Sequence, residues 1–248
     1  MTVPALRPND RWRLALAVVL VLGLASASAA QSIGGPTGLV LVPTARLQAD
    51  GTLAVGAGYV PEAYSDYLEG SAYTPAFATL AFLPSVEVGF RFSRALGTGR
   101  PEALGDRMLF ARVRVLKETG SLPAVAIGAH DFLRSSSSLT NQFAALYAVA
   151  SKRVGGVAFV ESVDLHAGLG TDWIPAKVRQ FVGPFGGAEI SFLDADTGVV
   201  RRLQTLVEYD GRSVNVGQRL GLGAGIDLTA AVQNFDAVTV GVVARRTL

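Results

Sequence analysis

The residues that could do chemistry are few, and the two histidines are the first to weigh. His130 stands beside Asp131, and His166 lies two positions after Asp164. A metal centre needs several His, Asp or Glu side chains converging on one point, so one His-Asp pair and a distant second His are a thin basis for it. No metal site and no cofactor is expected. His166 acting as a base, with Asp164 or a nearby serine assisting, would be the start of a hydrolase. The chain has no nucleophile-elbow sequence, and Ser135 to Ser138 reads as a loop, so the protein is read as non-enzymatic. Gly221-Leu222-Gly223-Ala224-Gly225 has the glycine density of a nucleotide loop, but it lies between two strand patterns with no helix after it and reads as a turn. There is no cysteine, which excludes disulfides and a lipid anchor on an N-terminal Cys.

The charged residues say more, because they share a parity. Glu87, Arg91, Arg112, Arg114, Asp164, His166, Glu189, Glu208, Arg219 and Asp227 all fall on the same face as the small residues around them. Inside a narrow barrel an unpaired charge is costly, so Glu87, Arg91, Arg112, Arg114, Glu189, Glu208, Arg219 and Asp227 are expected to brace the interior as salt bridges, with His166 lining it beside Asp164. The functional alternative is a polar lining that contacts a hydrated polymer or guides solutes. Arg112 and Arg114, two residues apart on one face, are the pair best placed to do more than brace.

The elements that would hold these side chains follow from a period of two. Val86, Val88, Phe90 and Phe92 point one way against Glu87, Gly89, Arg91 and Ser93. Leu109 to Val115, Ser162 to Leu169, Gly187 to Phe192, Ile226 to Gln233 and Val238 to Arg245 alternate in the same manner. Breaks rich in Gly, Pro, Ser and Asp separate the runs, and Asp210-Gly211 is a hairpin signal between two of them. About twelve strands result, at 52–60, 72–82, 85–93, 107–117, 123–130, 142–152, 157–169, 185–192, 202–209, 213–220, 224–233 and 237–245. No segment after the start shows helical period, so the chain reads as an antiparallel meander.

The first thirty residues read as a signal peptide. Arg7, Arg11 and Arg13 precede the apolar run Leu14 to Leu24, and small residues from Ala25 to Ala30 follow, with cleavage after Ala29 or Ala30. Residues 31–248 then form a single domain. The whole chain has 22 Lys+Arg and 20 Asp+Glu, but three arginines and Asp10 belong to the leader, so the remainder is formally neutral and gives no support to nucleic-acid binding.

Half of the chain is hydrophobic, yet no uncharged apolar stretch after residue 30 is long enough for a spanning helix. The second face decides between a soluble sandwich and a membrane barrel. A sandwich turns Lys, Glu and Thr to water, whereas here that face carries Gly, Ala, Ser and isolated charges of both signs, as in Ala54, Gly56 and Gly58. Small residues and scattered charges suit a crowded barrel interior, and closure leaves no backbone group unpaired in lipid. The fold expected is therefore all-β: an antiparallel up-and-down transmembrane β-barrel in the outer membrane, surrounded by lipid. Interfacial aromatics would come from Trp173, Tyr59, Tyr64, Tyr67, Tyr73, Tyr147 and Tyr209.

Three segments near the start are more specific than their period. Gly35-Pro36-Thr37-Gly38-Leu39, Pro43-Thr44-Ala45-Arg46 and Ala49-Asp50-Gly51-Thr52-Leu53 resemble the N-terminal signature of the YjbH family. Ala126 to Phe132 followed by Tyr147 to Arg153, and Glu208-Tyr209-Asp210 followed by Asn215-Val216-Gly217 and Arg219, are similar to later parts of that family. As residues alone, the Gly-Pro-Thr-Gly and Asp-Gly motifs read as tight turns at the start of a barrel. The resemblance implies an outer-membrane protein linked to exopolysaccharide biosynthesis and export, with polysaccharide and periplasmic export proteins as partners. Members of the family are much longer and often described as lipoproteins, so this chain resembles a single barrel unit. The function expected is non-enzymatic assistance to exopolysaccharide or capsule export or surface deposition. The alternatives are a porin- or adhesin-type barrel and a soluble periplasmic β-domain.

Overall fold

The computed structural model describes residues 30–62, 71–97, 106–132, 143–176, 178–195 and 197–248. The leader, Tyr64, Tyr67 and the Ser135–Ser138 run lie outside these residues. Twelve strands follow one another: β1 (Thr52–Tyr59), β2 (Tyr73–Phe82), β3 (Val86–Ala95), β4 (Asp106–Leu116), β5 (Ala124–His130), β6 (Ala145–Val157), β7 (Val160–Thr171), β8 (Gly183–Asp194), β9 (Val200–Tyr209), β10 (Val214–Leu222), β11 (Ile226–Gln233) and β12 (Ala237–Thr247). Each pairs antiparallel with its neighbours in sequence, and β12 closes on β1 from Thr52↔Thr247 to Tyr59↔Val240. The result is a closed up-and-down barrel with no free strand edge.

Alternation sorts the side chains. Leu109, Val113 and Val115 of β4 face outward, while Met108, Phe110 and Arg112 face the lumen and are buried. The outward surface is apolar all round, with Val55, Leu109, Ile127, Leu165, Val207, Leu228 and Val242 on seven different strands all exposed. A further pattern explains why glycine is common on the inner face. Gly56 pairs with Phe77, Gly89 with Phe110, Gly128 with Tyr147 and Gly168 with Phe185 across neighbouring strands. In each pair the aromatic ring lies where a glycine Cβ would stand. The missing side chain on one strand makes room for the large one on the next, so the wall curves without a collision.

The two ends of the barrel differ. Thr52, Thr247 and the connections 83–85, 158–159, 195–199 and 223–225 lie at one end, with 117–123 between β4 and β5. The other end carries the longer connections 60–72, 96–105, 131–144 and 172–182, besides two tight turns. One of those turns is the hairpin after β9. Its tip is Gly211-Arg212, one residue beyond the expected pair, and Asp210 Oδ1 accepts the backbone N–H groups of Arg212 and Ser213 at 2.9 and 2.8 Å. Gly211 takes φ +97°, the positive value that a mirror-image hairpin turn requires.

What the period could not show is the course of residues 30–48. They do not lead into the barrel from outside but run through its lumen. Leu39, Val40, Val42 and Ala45 are 0% exposed, packed against inward side chains such as Met108, Phe110, Leu206 and Tyr147. The Gly-Pro-Thr-Gly segment does form turns, with Gly35 N donating to Ser32 O at 3.1 Å and Leu39 N to Val42 O at 2.8 Å. Their place is the correction: the turns stand within the lumen, not before the first strand. The segment leaves at the end holding the C-terminus, where Gly51 N binds Ala81 O and Leu248 N binds Gly51 O, each at 2.9 Å.

Candidate functional site: the filled lumen

An irregular segment buried in a barrel brings its own N–H and C=O groups out of water, and each needs a partner. The inward charges of the wall supply them. Glu208 on β9 faces the turn at Leu39–Val42 and accepts from the N–H groups of Val40, Leu41 and Val42 at 2.9, 3.0 and 3.1 Å. Successive N–H groups converging on one carboxylate form an anion-holding nest, here filled by a side chain. Asn215 Nδ2 on β10 steadies the same carboxylate at 2.9 Å. The turn closes this tightly because of Gly38: a Cβ there would press into the Val42 carbonyl and Pro43.

Glu87 on β3 accepts from Thr37 N at 3.0 Å and from the Thr37 hydroxyl. Arg112, its register partner on β4, pairs with it at 2.9 Å, both side chains fully buried. The remaining guanidinium hydrogens reach backwards to the segment, Nη1 to the carbonyls of Thr37 and Thr44 at 2.8 Å each and Nη2 to Arg46 O at 3.3 Å. Arg219 on β10 does the same on the opposite wall. Its Nη2 serves the carbonyls of Gln31, Gly38 and Leu39 at 3.2, 2.9 and 2.7 Å, while Nη1 pairs with Glu189 at 3.2 Å. Arg91 donates to Gly34 O at 3.4 Å and lies over the Phe143 ring. On β7, Asp164 binds Arg46 of the segment and, at 2.8 Å, Arg153 of β6.

All ten candidate residues thus face the lumen, but the geometry divides them. Glu87, Arg91, Arg112, Asp164, Glu208 and Arg219 grip the inserted segment directly. Glu189 supports it through Arg219, and His166 through Ser151, whose hydroxyl oxygen accepts Ala45 N at 2.8 Å and meets His166 Nδ1 at 2.8 Å. Asp227 pairs instead with Arg245 at 2.8 Å, and Arg114 binds Pro84 O at the β2–β3 turn. The expectation of charges paired chiefly with each other is met at Glu87–Arg112, Glu189–Arg219 and Asp227–Arg245. It is met again at Asp164, shared by Arg46 and Arg153. Arg91, Arg114 and Glu208 and the further contacts of Glu87, Arg112 and Arg219 go chiefly to backbone, because an inserted coil carries many unpaired amides.

The Ser151–His166 contact has the length of a nucleophile–base pair but not its setting. Ser151 is 1% exposed and already accepts an amide hydrogen, and Asp164 is engaged by two arginines. As site residues, sequence reading missed Ser151, Arg153, Gln204, Asn215 and Arg245, although Ser151, Arg153 and Asn215 fell within its motifs, and above all it missed the course of residues 30–48 through the lumen. The signal for the segment was present in about twenty residues before the first strand, rich in turn formers and apolar residues and without period two. Between the segment and the end holding the C-terminus there remains a polar cavity of about 280 Å³, whose lining includes Arg46, Arg114, Arg153, Asp164, His166, Glu189, Asp194, Arg202 and Gln204. Among the described residues no group of three or more His, Asp or Glu is placed to hold a metal ion.

A closed up-and-down β-barrel whose lumen is filled by a hydrogen-bonded stretch of its own chain is the class of protein that these observations define. Residues 30–206, more than half of the chain, match the YjbH family, described as exopolysaccharide biosynthesis protein YbjH, and the chain belongs to this family. The match opens with the inserted segment and runs into β9. No curated protein matches the chain.

Proposed function

We propose that the protein is an outer-membrane barrel that assists exopolysaccharide export or surface deposition without catalysing a reaction. The observation that carries this reading is the closed barrel, apolar outside on every side, with a lumen occupied by residues 30–48. Apolar residues on alternate positions of a closed wall suit lipid, where a soluble sheet would expose them to water. Family membership supplies the link to exopolysaccharide. The filled lumen favours an accessory role over a standing solute pore, which would need water along its length. The buried, already engaged Ser151 favours a binding or structural part over a hydrolytic one. In this reading the leader is cleaved after Ala29 or Ala30 and the end bearing the C-terminus faces the periplasm, since outer-membrane barrels place short turns there and long loops outside.

The test is a gene deletion with plasmid complementation, scored for surface exopolysaccharide, together with fractionation of the tagged protein. Loss of exopolysaccharide and recovery in the outer-membrane fraction are expected. Recovery in the soluble periplasm would sink the placement, and unchanged exopolysaccharide with altered permeability or adhesion would transfer the protein to the porin or adhesin type.

A further inference from the structure

Among the described residues that line the cavity beneath the inserted segment, His166 and Gln204 each leave a buried polar atom without a partner, beside the Nε atoms of Arg46 and Arg114. His166 is 6% exposed and spends Nδ1 on Ser151, but its Nε2 is buried and unbonded. Gln204 is 5% exposed and spends Nε2 on Glu189 and Ser191 at 2.8 and 3.2 Å, but its Oε1 is buried and unbonded. Both residues line the same cavity of about 280 Å³. A buried polar atom without a partner costs free energy, so whatever fills this space must give and accept hydrogen bonds.

We propose that this cavity is a subsite for one neutral sugar unit, reached from the end of the barrel that holds the C-terminus. The size is at the small end of ligand sites, which run from about 300 to 1,000 Å³, and suits a single pyranose better than a run of them. The chemistry of the lining selects the class. Asp164 is shared between Arg46 and Arg153, and Glu189 between Arg219 and Gln204. Charges paired in this way retain spare N–H groups and lone pairs in fixed directions, which match hydroxyls that both donate and accept. Arg46, Arg114, Arg153 and Arg202 line the space together with Asp164, Glu189 and Asp194, so charge alone favours neither class. The free Gln204 Oε1 needs a donor, which a sugar hydroxyl supplies and a phosphate ester dianion, carrying no hydrogen on its oxygens, does not. The neutral sugar fits where the phosphate does not. The choice of ligand class rests also on the exopolysaccharide reading above.

The full chain, purified in detergent with ¹⁵N-labelled histidine, provides the test, because it has only two histidines. It is titrated with glucose, galactose, mannose, N-acetylglucosamine and, separately, inorganic phosphate. At least one of the sugars is expected to shift the His166 Nε2 resonance saturably, with the enclosed His130 unmoved and phosphate without effect. His166→Asn keeps a group at the Nδ1 position for Ser151 and deletes Nε2, so it should weaken sugar binding about tenfold, roughly one lost hydrogen bond. His166→Gln, which restores an amide near Nε2, should recover part of it. If none of the sugars shifts His166, if phosphate does so instead, or if His166→Asn binds as the native chain does, the subsite is overturned. The labelled native chain gives its answer even if a variant fails to fold. An absent sugar response in a protein whose deletion does abolish exopolysaccharide removes the subsite alone. A saturable response in a protein whose deletion leaves exopolysaccharide unchanged upholds the subsite and removes the export reading.

Discussion

Glu208 gathers four donors onto one carboxylate, three backbone N–H groups of the inserted turn and the Asn215 amide. Removing the acceptor leaves those donors buried, at about 1–3 kcal/mol for each that finds no water. Glu208→Ala is therefore expected to lower the unfolding free energy by at least about 3 kcal/mol, read from the urea midpoint of the barrel in detergent. Glu208→Gln, which keeps one acceptor oxygen, should lose less, and equal losses in the two would show that the turn does not depend on the carboxylate. A second carboxyl acts at the rim. Asp131 lies just past β5, and burial, with Asp106 nearby, pushes its pKa up to about 6. A folded-state value above the unfolded one means that its contribution is complete at low pH and fades as pH rises through about 6. Stability should thus fall by about 1 kcal/mol between pH 4 and pH 7, allowing for solvent screening. Asp131→Asn should flatten that part of the profile, and an unchanged slope in the variant would assign it to another group.

The inserted segment and the strands obey different rules. Strands satisfy their backbone groups from neighbour to neighbour, so their inward side chains are free to take other work. The segment pairs with itself through turns and bridges such as Gln31↔Thr37 and Gly38↔Pro43, and draws further partners from wall side chains, among them Thr79, Glu87, Arg91, Arg112, Ser151, Glu208 and Arg219. It is a separate part lodged in a wall that is already closed. Deleting residues 32–47 should accordingly leave the twelve strands able to close while opening the lumen. The measurable result is stepwise conductance in planar bilayers from the shortened chain and none from the full one. A shortened chain that inserts yet stays silent would mean that the wall's own side chains seal the passage.

For the molecule as a whole, the outward face decides its medium. Val242 on β12 is exposed and opposes Ala57 on β1 and Leu228 on β11, far from both ends of its strand. If lipid covers it, Val242→Arg costs about 2–4 kcal/mol, while the same change at Leu53, an outward residue by the end of β1, costs roughly 0–1 kcal/mol. Folding titrations into liposomes distinguish the two, and equal small effects would argue for water on that face. The six residues that grip the segment come from five different strands, β3, β4, β7, β9 and β10, so no local stretch of chain contains the site.

The amino-acid sequence alone determined the strands and their faces, because period two is a local property: a residue's parity settles whether it points into the lumen or away from it. That is why parity alone assigns Glu87, Arg112, Glu208 and Arg219 to the inner wall. The pairing of small with large was half visible, since glycines on the inner face were evident but their aromatic partners on adjacent strands were not. Only the tertiary structure decided what the inward charges hold. Their partners are backbone amides and carbonyls up to 188 residues away in the chain, as between Arg219 and Gln31. Main-chain groups are the same at every position, so they leave no mark in the residue types. The turn formers of residues 30–48 announced that the chain would bend, and only closure of the wall around them made the lumen the place where it does.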